Sequence, residues 1–353
     1  MTVLKYSLAY LFPALAFIAL CFGGWSSFLV PVVAFGLIPA LEQLSRGTSE
    51  NSSSQEQLER RQQRRWFDGL LHGMVLVQWA LIAGLSWRFA EGAMSGVELF
   101  GLVISVGICC GTFGINVAHE LGHRGDRFSR FSAKCLLLSS LYMHFIIEHN
   151  HGHHRRVATE DDPASSRKGE SVYYFWTRTI PHSWLSAWQI EKQRLERKKA
   201  PVVGWQNEMI WFTAIQIAAV VAVGLIASWG AAAGYVGAAL TGILLLETVN
   251  YVEHYGLKRE KRKNGRYERV RPQHSWNSNH PIGRILLFEL SRHSDHHANP
   301  TRPYYVLRHF DESPQLPAGY PSMILLAMVP PLWFSVMDPH VEAELERITS
   351  LAA

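Results

Sequence analysis

The stretch VELFGLVISVGICCGTFGINVAHELGH, residues 97–123, decides the fold class of this 353-residue chain. Its apolar part, Val97–Val117, contains a single charged side chain, Glu98. A helix of about 20 apolar residues is needed to cross the roughly 30 Å of hydrocarbon in a bilayer. The stretch therefore predicts a membrane-spanning helix, and it places His119 and His123 where that helix leaves the membrane.

Five further apolar runs of similar length occur in the chain, and short linkers of small residues such as Gly23-Gly24 join the runs in pairs. We predict an all-α integral membrane protein with six transmembrane helices in three hairpins and a histidine-rich helical cytoplasmic region. One membrane-embedded domain is expected over residues 1–353, with cytoplasmic catalytic segments at about 118–208 and 253–353. The predicted spans are Leu8–Phe22, Trp25–Leu41, Leu70–Trp87, Val97–Val117, Ile210–Trp229 and Ala232–Val252.

Positive charge indicates the orientation. The three hairpin tips contain no Lys or Arg, whereas the loops 46–65, 155–199 and 258–308 contain 5, 10 and 12 of them. Loops rich in Lys and Arg remain in the cytoplasm. We therefore predict a multi-pass protein of the bacterial inner membrane, with its active site and both termini in the cytoplasm and no cleavable signal peptide. Topology and lipid headgroups account for the basic residues, so nucleic acid is not an expected partner.

The four cysteines indicate no metal or disulfide chemistry. Cys21, Cys109, Cys110 and Cys135 form no C-x-x-C pair, and all lie in apolar stretches. We expect buried thiols, without a disulfide framework or a thiolate metal site.

Seventeen histidines are present, and most of them fall in four clusters on the predicted cytoplasmic side. The first is His-Glu-Leu-Gly-His at 119–123, whose i, i+4 spacing puts both rings on one face of a continuing helix. The second, Glu-His-Asn-His-Gly-His-His at 148–154, predicts that His149 and His153 share a face while His154 points about 100° around the helix. The third and fourth are Asn-Tyr-Val-Glu-His-Tyr-Gly at 250–256 and Arg-His-Ser-Asp-His-His at 292–297.

These clusters supply nine candidate metal ligands, too many for one ion that takes about four to six donors and leaves a position open for catalysis. Two metal ions are therefore predicted. Zinc binds imidazole but has no redox chemistry, and an all-nitrogen pair beside a hydrocarbon site suits iron that activates O₂. The candidate ligands are His119, His123, His149, His153, His154, His254, His293, His296 and His297.

Other interpretations of the clusters remain open. H-E-x-x-H alone is typical of a zinc peptidase with the Glu as general base, and an intramembrane zinc protease would hydrolyse peptides without O₂. A transporter or a metal-storage membrane protein would take up metal without forming an oxidised product. The remaining histidines are interpreted as structural, surface or bracing residues: His72, His144, His151, His182, His274, His280, His309 and His340.

Carboxylates beside the clusters are candidates for catalytic proton transfer or for hydrogen bonds that orient the histidine rings. Because a ligand histidine usually donates its second N–H to a carboxylate or carbonyl, we favour orientation over direct metal ligation for all of them. These carboxylates are Glu120, Glu148, Glu253, Asp295 and Asp162.

With these residues assembled, the chain resembles the membrane alkane 1-monooxygenase family, the alkane ω-hydroxylases, within the membrane fatty-acid desaturase and hydroxylase group. The segments 119–123, 148–154 and 292–298 resemble that family's three histidine boxes. The segment 250–256 resembles the fourth motif, which separates these hydroxylases from ordinary desaturases. One departure is Ser291, which stands where the family commonly has Gln. A rubredoxin-like tail, carried by some members, is not expected here.

The resemblance implies a non-haem diiron centre held by the nine histidines. It also implies hydroxylation of the terminal methyl of medium-chain n-alkanes from the bilayer to primary alcohols, with O₂ as co-substrate. Rubredoxin would supply the electrons, with an NADH-dependent rubredoxin reductase upstream. The residues agree with this interpretation. An unactivated C–H bond has no acidic proton and no leaving group on which side-chain acid–base chemistry could act, so a metal must activate O₂. The alternative within this chemistry is a xylene-type or fatty-acyl-type hydroxylase or desaturase.

Overall fold

A computed structural model describes residues 3–45 and 47–352 of the chain. Met1, Thr2, Arg46 and Ala353 lie outside the described residues, so the predicted domain over 1–353 and the basic loop that begins at Arg46 are described without them. All regular secondary structure within the described residues is helical, beside two isolated bridges, Lys261 with Tyr267 and Asn277 with Gln315. The all-α prediction is confirmed.

Six helices in the described part of the chain are long and apolar enough to cross a membrane. Each overlaps one predicted span, and most extend past the predicted ends. The six spans are confirmed as helices, and their arrangement in three hairpins stays a prediction, as does the single domain. These helices run over Leu4–Phe22, Gly24–Leu44, Arg64–Glu91, Gly96–Gly122, Glu208–Ile226 and Trp229–His254.

The remaining helices belong to the segments between the spans and after them. They are Ser54–Gln62, Arg127–Ser139, Phe145–Glu148, His149–His153, His154–Arg156, Val172–Arg197, Pro272–His274, Pro281–Leu286, His293–Ala298, Tyr304–Val306, Tyr320–Ala327 and Pro330–Ala352.

The described residues form two compact units. The first unit comprises residues 3–36, 62–150 and 184–246. The second comprises residues 37–45, 47–61, 151–183 and 247–352.

The fourth span, Gly96–Gly122, forms the centre of the first unit. It is 83% buried, whereas the fifth span is 17% buried. The charged residue at its start, Glu98, belongs to a capping box, in which the Glu98 N–H donates to Ser95 Oγ and the Ser95 N–H donates to Glu98 Oε2. Since this arrangement satisfies two backbone donors at the helix start, the carboxylate is a local cap.

Glycines bring the fourth and sixth spans into backbone contact. A Cβ atom placed on Gly242 would lie 2.8 Å from the backbone nitrogen of Gly111, and one on Gly111 would lie 3.0 Å from the carbonyl oxygen of Gly242. A Cβ on Gly107 would clash with Thr241 at 2.4 Å. Small residues at such a crossing permit close van der Waals packing of helices in a membrane.

We expect Gly242→Val to lower the thermal stability of the protein, because the added side chain pushes against backbone that has no freedom to turn away. Overpacking of this kind costs about 1–3 kcal/mol. The unfolding midpoint of the detergent-solubilised protein measures the effect. Gly69→Val is the matched control, because open space surrounds its Cβ position in another span. An equal loss in both variants would contradict the packing explanation.

In the second unit, a buried arginine anchors the helix His293–Ala298. The guanidinium of Arg292 donates to the carbonyl oxygens of Leu307 at 2.9 Å and Glu50 at 2.8 Å. Asp295, inside the helix, accepts from the Arg302 guanidinium at 2.5 Å. These bonds fix the helix to segments far along the chain, and the helix carries three of the candidate ligands.

Candidate metal centre

Three candidate ligands meet within the first unit. His119 lies in the helix Asn116–Gly122, and His123 follows directly with helical dihedral angles, φ −80° and ψ −9°. Their ring centroids are 5.2 Å apart, and the ring of His149 lies 4.2 Å from that of His119 and 5.3 Å from that of His123. The i, i+4 spacing of the first cluster therefore brings both rings to one place, as predicted.

Four more candidate ligands form a buried group within the second unit, here called the four-histidine group: His153, His254, His293 and His297. Each offers one ring nitrogen, and these nitrogens all lie within 4.8 Å of one another. The Nε2 atom of His293 is 2.8 Å from Nε2 of His297 and 3.3 Å from Nε2 of His254.

The last two candidate ligands are neighbours of this group in the second unit. The Nε2 atoms of His154 and His296 are 3.1 Å apart. The ring of His154 also lies 4.5 Å from the ring of His297. Adjacent residues His153 and His154 thus have different partners, since His153 belongs to the four-histidine group and Nε2 of His154 lies beside Nε2 of His296.

The prediction that His149 and His153 share one helix face stays a prediction, whereas the α-helical form expected for this turn was wrong. Residues His149–His153 form one wide turn of π-helix. A π turn closes i→i+5 hydrogen bonds and is wider than an α-helical turn. His149 contacts His119 and His123, and His153 belongs to the four-histidine group.

The chemistry of the four-histidine group fits a bound metal ion. Burial, followed by the neighbouring His293, lowers the pKa of His297 well below its ordinary value, which favours the neutral imidazole that a metal requires. The Nε2 atom of His293 faces Nε2 of His297, Nε2 of His254 and, at 3.2 Å, Oε2 of Glu253. One proton on this nitrogen can satisfy only one of these partners, whereas a cation among the ring nitrogens satisfies all of the converging lone pairs.

Two of the predicted carboxylates touch histidines of this group. Oδ2 of Asp162 lies 2.8 Å from Nδ1 of His153 and accepts a hydrogen bond from Ser165 Oγ at 2.6 Å. Oε1 of Glu253 accepts a hydrogen bond from the Tyr320 hydroxyl at 2.7 Å. Carboxylates placed in this way fix the tautomer and the ring direction of a ligand histidine.

The other predicted carboxylates pair with arginines or with serine. Glu120 pairs with Arg124 at 2.7 Å. Glu148 is buried and accepts from Ser186 Oγ at 3.2 Å. Asp295 accepts from Arg302, from the amide of Asn299 and from the backbone N–H of Arg308, so it braces the loop after its helix.

None of the eight remaining histidines joins a group of three or more potential metal ligands in the described part of the chain. His72 contacts Ser132 Oγ at 3.1 Å, and His274 contacts Glu268 Oε1 at 3.2 Å. Burial lowers the pKa of His144 to about 4, so this residue stays neutral beside Tyr142. His151, within the second cluster, has an exposed side chain.

Sequence reasoning missed two residues that support the candidate ligands. Tyr320 is fully buried and holds Glu253, from which it is separated by 67 positions. Arg292 is the buried anchor of the helix His293–Ala298. The signal for Tyr320 was the motif Gly-Tyr-Pro at 319–321, and the signal for Arg292 was its position directly before a ligand.

Comparisons with known proteins match the region of the chain that contains the candidate ligands. The family model for fatty acid desaturase matches residues 96–327, a range that contains all nine candidate ligands. The chain is 42% identical over 316 residues to alkane 1-monooxygenase 2 of Pseudomonas aeruginosa, covering 89% of this chain and 84% of that protein. It is 40% identical over 311 residues to the alkane 1-monooxygenase of Acinetobacter baylyi, covering 88% and 76%. It is also 28% identical over 271 residues to the xylene/toluene monooxygenase hydroxylase component of Pseudomonas putida, covering 74% and 71%.

Proposed function

The chain belongs to the fatty acid desaturase family and, within it, to the alkane 1-monooxygenases, and from this premise we propose the reaction that it performs. It is a multi-pass membrane enzyme that hydroxylates the terminal methyl of medium-chain n-alkanes to primary alcohols with O₂. The observation that carries this proposal is the buried four-histidine group, which provides converging ring nitrogens and fits a redox-active ion.

The cofactor of the proposal is a non-haem diiron centre held by the nine candidate histidines, of which the four-histidine group would bind one iron. Bound iron would supply the activation of O₂ that an alkane C–H bond requires. The chain itself contributes burial and orientation. All of its candidate ligands except the half-buried His123 are enclosed by protein, which excludes water, and Asp162 holds Nδ1 of His153 so that Nε2 is directed at the other rings.

The proposed electron donor is rubredoxin, reduced in turn by an NADH-dependent rubredoxin reductase. Insertion of one oxygen atom of O₂ into a C–H bond leaves the second atom to be reduced to water, which requires two electrons and two protons from outside. The enzyme is proposed to lie in the bacterial inner membrane with its active site in the cytoplasm. The excess of Lys and Arg in the loops after the second, fourth and sixth spans supports this orientation.

The test is octane oxidation by the purified protein in nanodiscs with NADH, rubredoxin reductase and rubredoxin. We expect 1-octanol that contains oxygen from ¹⁸O₂, no product when rubredoxin is omitted, and two irons per chain by metal analysis. Zinc in place of iron, or an activity that needs no O₂, would refute the proposal in favour of a zinc protease.

A second candidate substrate class is supported by one observation, the likeness to the xylene/toluene monooxygenase component. Competition between octane and xylene decides between the two classes. We expect octane to be the preferred substrate, because the alkane 1-monooxygenases match with higher identity and over more of the chain. Faster oxidation of xylene would assign the protein to that second class.

A further inference from the structure

A strongly basic segment follows the sixth span. Residues 258–271, here called the basic hairpin, read KREKRKNGRYERVR and contain eight basic and two acidic side chains. Their net charge of +6 exceeds the +5 of the entire chain. Positive charge is therefore concentrated in one short segment. The orientation in the membrane does not by itself require such a concentration, because basic residues spread over any cytoplasmic loop would set the same orientation.

The basic hairpin has a defined fold. The N–H of Arg262 donates to the carbonyl of Arg266 at 2.9 Å, and the N–H of Glu268 donates to the carbonyl of Glu260 at 3.0 Å. Gly265 turns the chain at φ +76°, a conformation that favours glycine. The side chains from Glu260 to Arg266 are exposed, so the basic groups of the turn face solvent.

The base of the hairpin is joined to the segments that carry candidate ligands. The N–H of Arg259 donates to the carbonyl of Ala158 at 2.7 Å, and its guanidinium donates to the carbonyls of Arg155 at 2.9 Å and Val157 at 3.1 Å. These carbonyls belong to the turn directly after His154. At the other side, the N–H of Leu257 donates to the carbonyl of His254 at 3.3 Å.

A concave surface lies beside the hairpin within the second unit. The cavity has a volume of about 640 Å³ and is lined by the hairpin from Lys258 to Lys261, by Tyr267 and by the loop around Arg167. Its basic lining side chains outnumber its acidic ones, and Arg167 and Lys258 are exposed. A protruding acidic surface of another protein would fit this cavity in charge and in shape.

We propose that the basic hairpin and its cavity form the docking surface for an acidic electron-transfer protein. This inference rests on the proposed function, which needs electrons from a partner such as rubredoxin. A partner bound here contacts the hairpin, whose residue Arg259 is hydrogen-bonded to the turn after His154. The residue before the hairpin, Leu257, is hydrogen-bonded to His254 of the four-histidine group. Charge of opposite sign guides such encounters and accelerates association, and electron-transfer contacts are small.

The exposed residues of the hairpin turn offer charge but no apolar anchor to a membrane. An amphipathic segment that lies in the membrane interface combines basic residues with exposed apolar side chains that enter the bilayer, whereas a polybasic segment can bind anionic headgroups by charge alone. The helix Arg127–Ser139 has this combination, since Phe128 and Phe131 are each 64% exposed beside Arg127 and Arg130. From Glu260 to Arg266 the hairpin exposes no apolar side chain.

The experiment compares two charge reversals of the full-length enzyme in nanodiscs. Arg262→Glu with Lys263→Glu changes two exposed side chains of the hairpin turn. Arg197→Glu with Lys198→Glu is the matched control, because it reverses another exposed, adjacent Arg-Lys pair and changes the net charge by the same amount. Purified rubredoxin is the probe, and octane hydroxylation is measured against its concentration at low and high salt.

We expect the hairpin variant to raise the KM for rubredoxin at least about tenfold at low salt, with kcat and iron content unchanged and with a weaker dependence on salt. The control variant should keep the KM of the unaltered enzyme. Direct binding of rubredoxin to the nanodisc-held protein should weaken in parallel for the hairpin variant alone.

Three results would overturn the inference. An unchanged KM in the hairpin variant removes the docking role, and an equal rise in the control shows a general effect of net charge. A variant that differs from the unaltered enzyme only when nanodiscs of anionic and zwitterionic lipid are compared assigns the hairpin to lipid headgroups. If the unaltered enzyme makes no octanol with rubredoxin, that result refutes the proposed function, and the docking proposal that rests on it is refuted as well.

Discussion

Replacement of His297 by Ala is expected to abolish hydroxylation and to lower the bound iron. This ring lies among the other three rings of the four-histidine group, with ring centroids 4.4 Å from His293, 4.8 Å from His153 and 5.1 Å from His254. Loss of one imidazole removes a donor and leaves a cavity where the remaining rings can turn away from the metal. We expect at least about a hundredfold loss of activity, a larger effect than the removal of an outer hydrogen bond.

The measurement pairs iron content with octane oxidation, and size-exclusion chromatography shows whether the variant still folds. His72→Ala is the matched control, since this histidine contacts Ser132 and Phe128 and belongs to neither histidine group. It should keep the iron content of the unaltered protein. The same loss as in His297→Ala is expected for Ala at His119, His153 or His296. Full iron content and activity in these four variants would refute the assignment of the ligands.

The second large effect is expected from Asp162→Asn. The carboxylate of Asp162 is buried and accepts from Nδ1 of His153, which leaves Nε2 of that ring as the donor for a metal. An amide of the same shape has no charge and can present an N–H to the ring, which favours the other tautomer. Loss of such a partner typically costs about 10–100-fold in metal affinity or activity. The iron dissociation constant should therefore rise, and kcat should fall, by about 10–100-fold.

A second histidine–carboxylate pair, in which the histidine is buried and the carboxylate half-buried, offers the control for this prediction. Glu268 Oε1 lies 3.2 Å from Nε2 of His274, whose pKa burial lowers to about 4. Because His274 lies outside the histidine groups, Glu268→Gln should change stability without changing iron affinity. Iron affinity that falls equally in both variants would indicate a general loss of folding, and unchanged affinity in Asp162→Asn would remove the orienting role of Asp162.

The pattern of residues along the chain was sufficient to predict the six spans and their helical form. An uncharged run of about 20 residues in a bilayer has to satisfy its backbone hydrogen bonds within itself, so the helix is the available solution. The i, i+4 spacing of His119 and His123 was likewise reliable, because helical geometry persists through both residues. The candidate ligands could be chosen from spacing for the same reason: each cluster is local in sequence.

Only the tertiary structure decided how the candidate ligands are grouped and what holds them. The turn at His149–His153 is a π turn in place of the expected α-helical turn, a local widening that the α-helical period does not predict. Tyr320 reaches Glu253 across 67 positions, and Arg292 binds the carbonyl of Glu50 across 242. Such contacts between distant residues depend on the tertiary fold, and no local spacing rule predicts them. Membrane spans and histidine clusters, in contrast, follow from interactions between residues that are near in sequence.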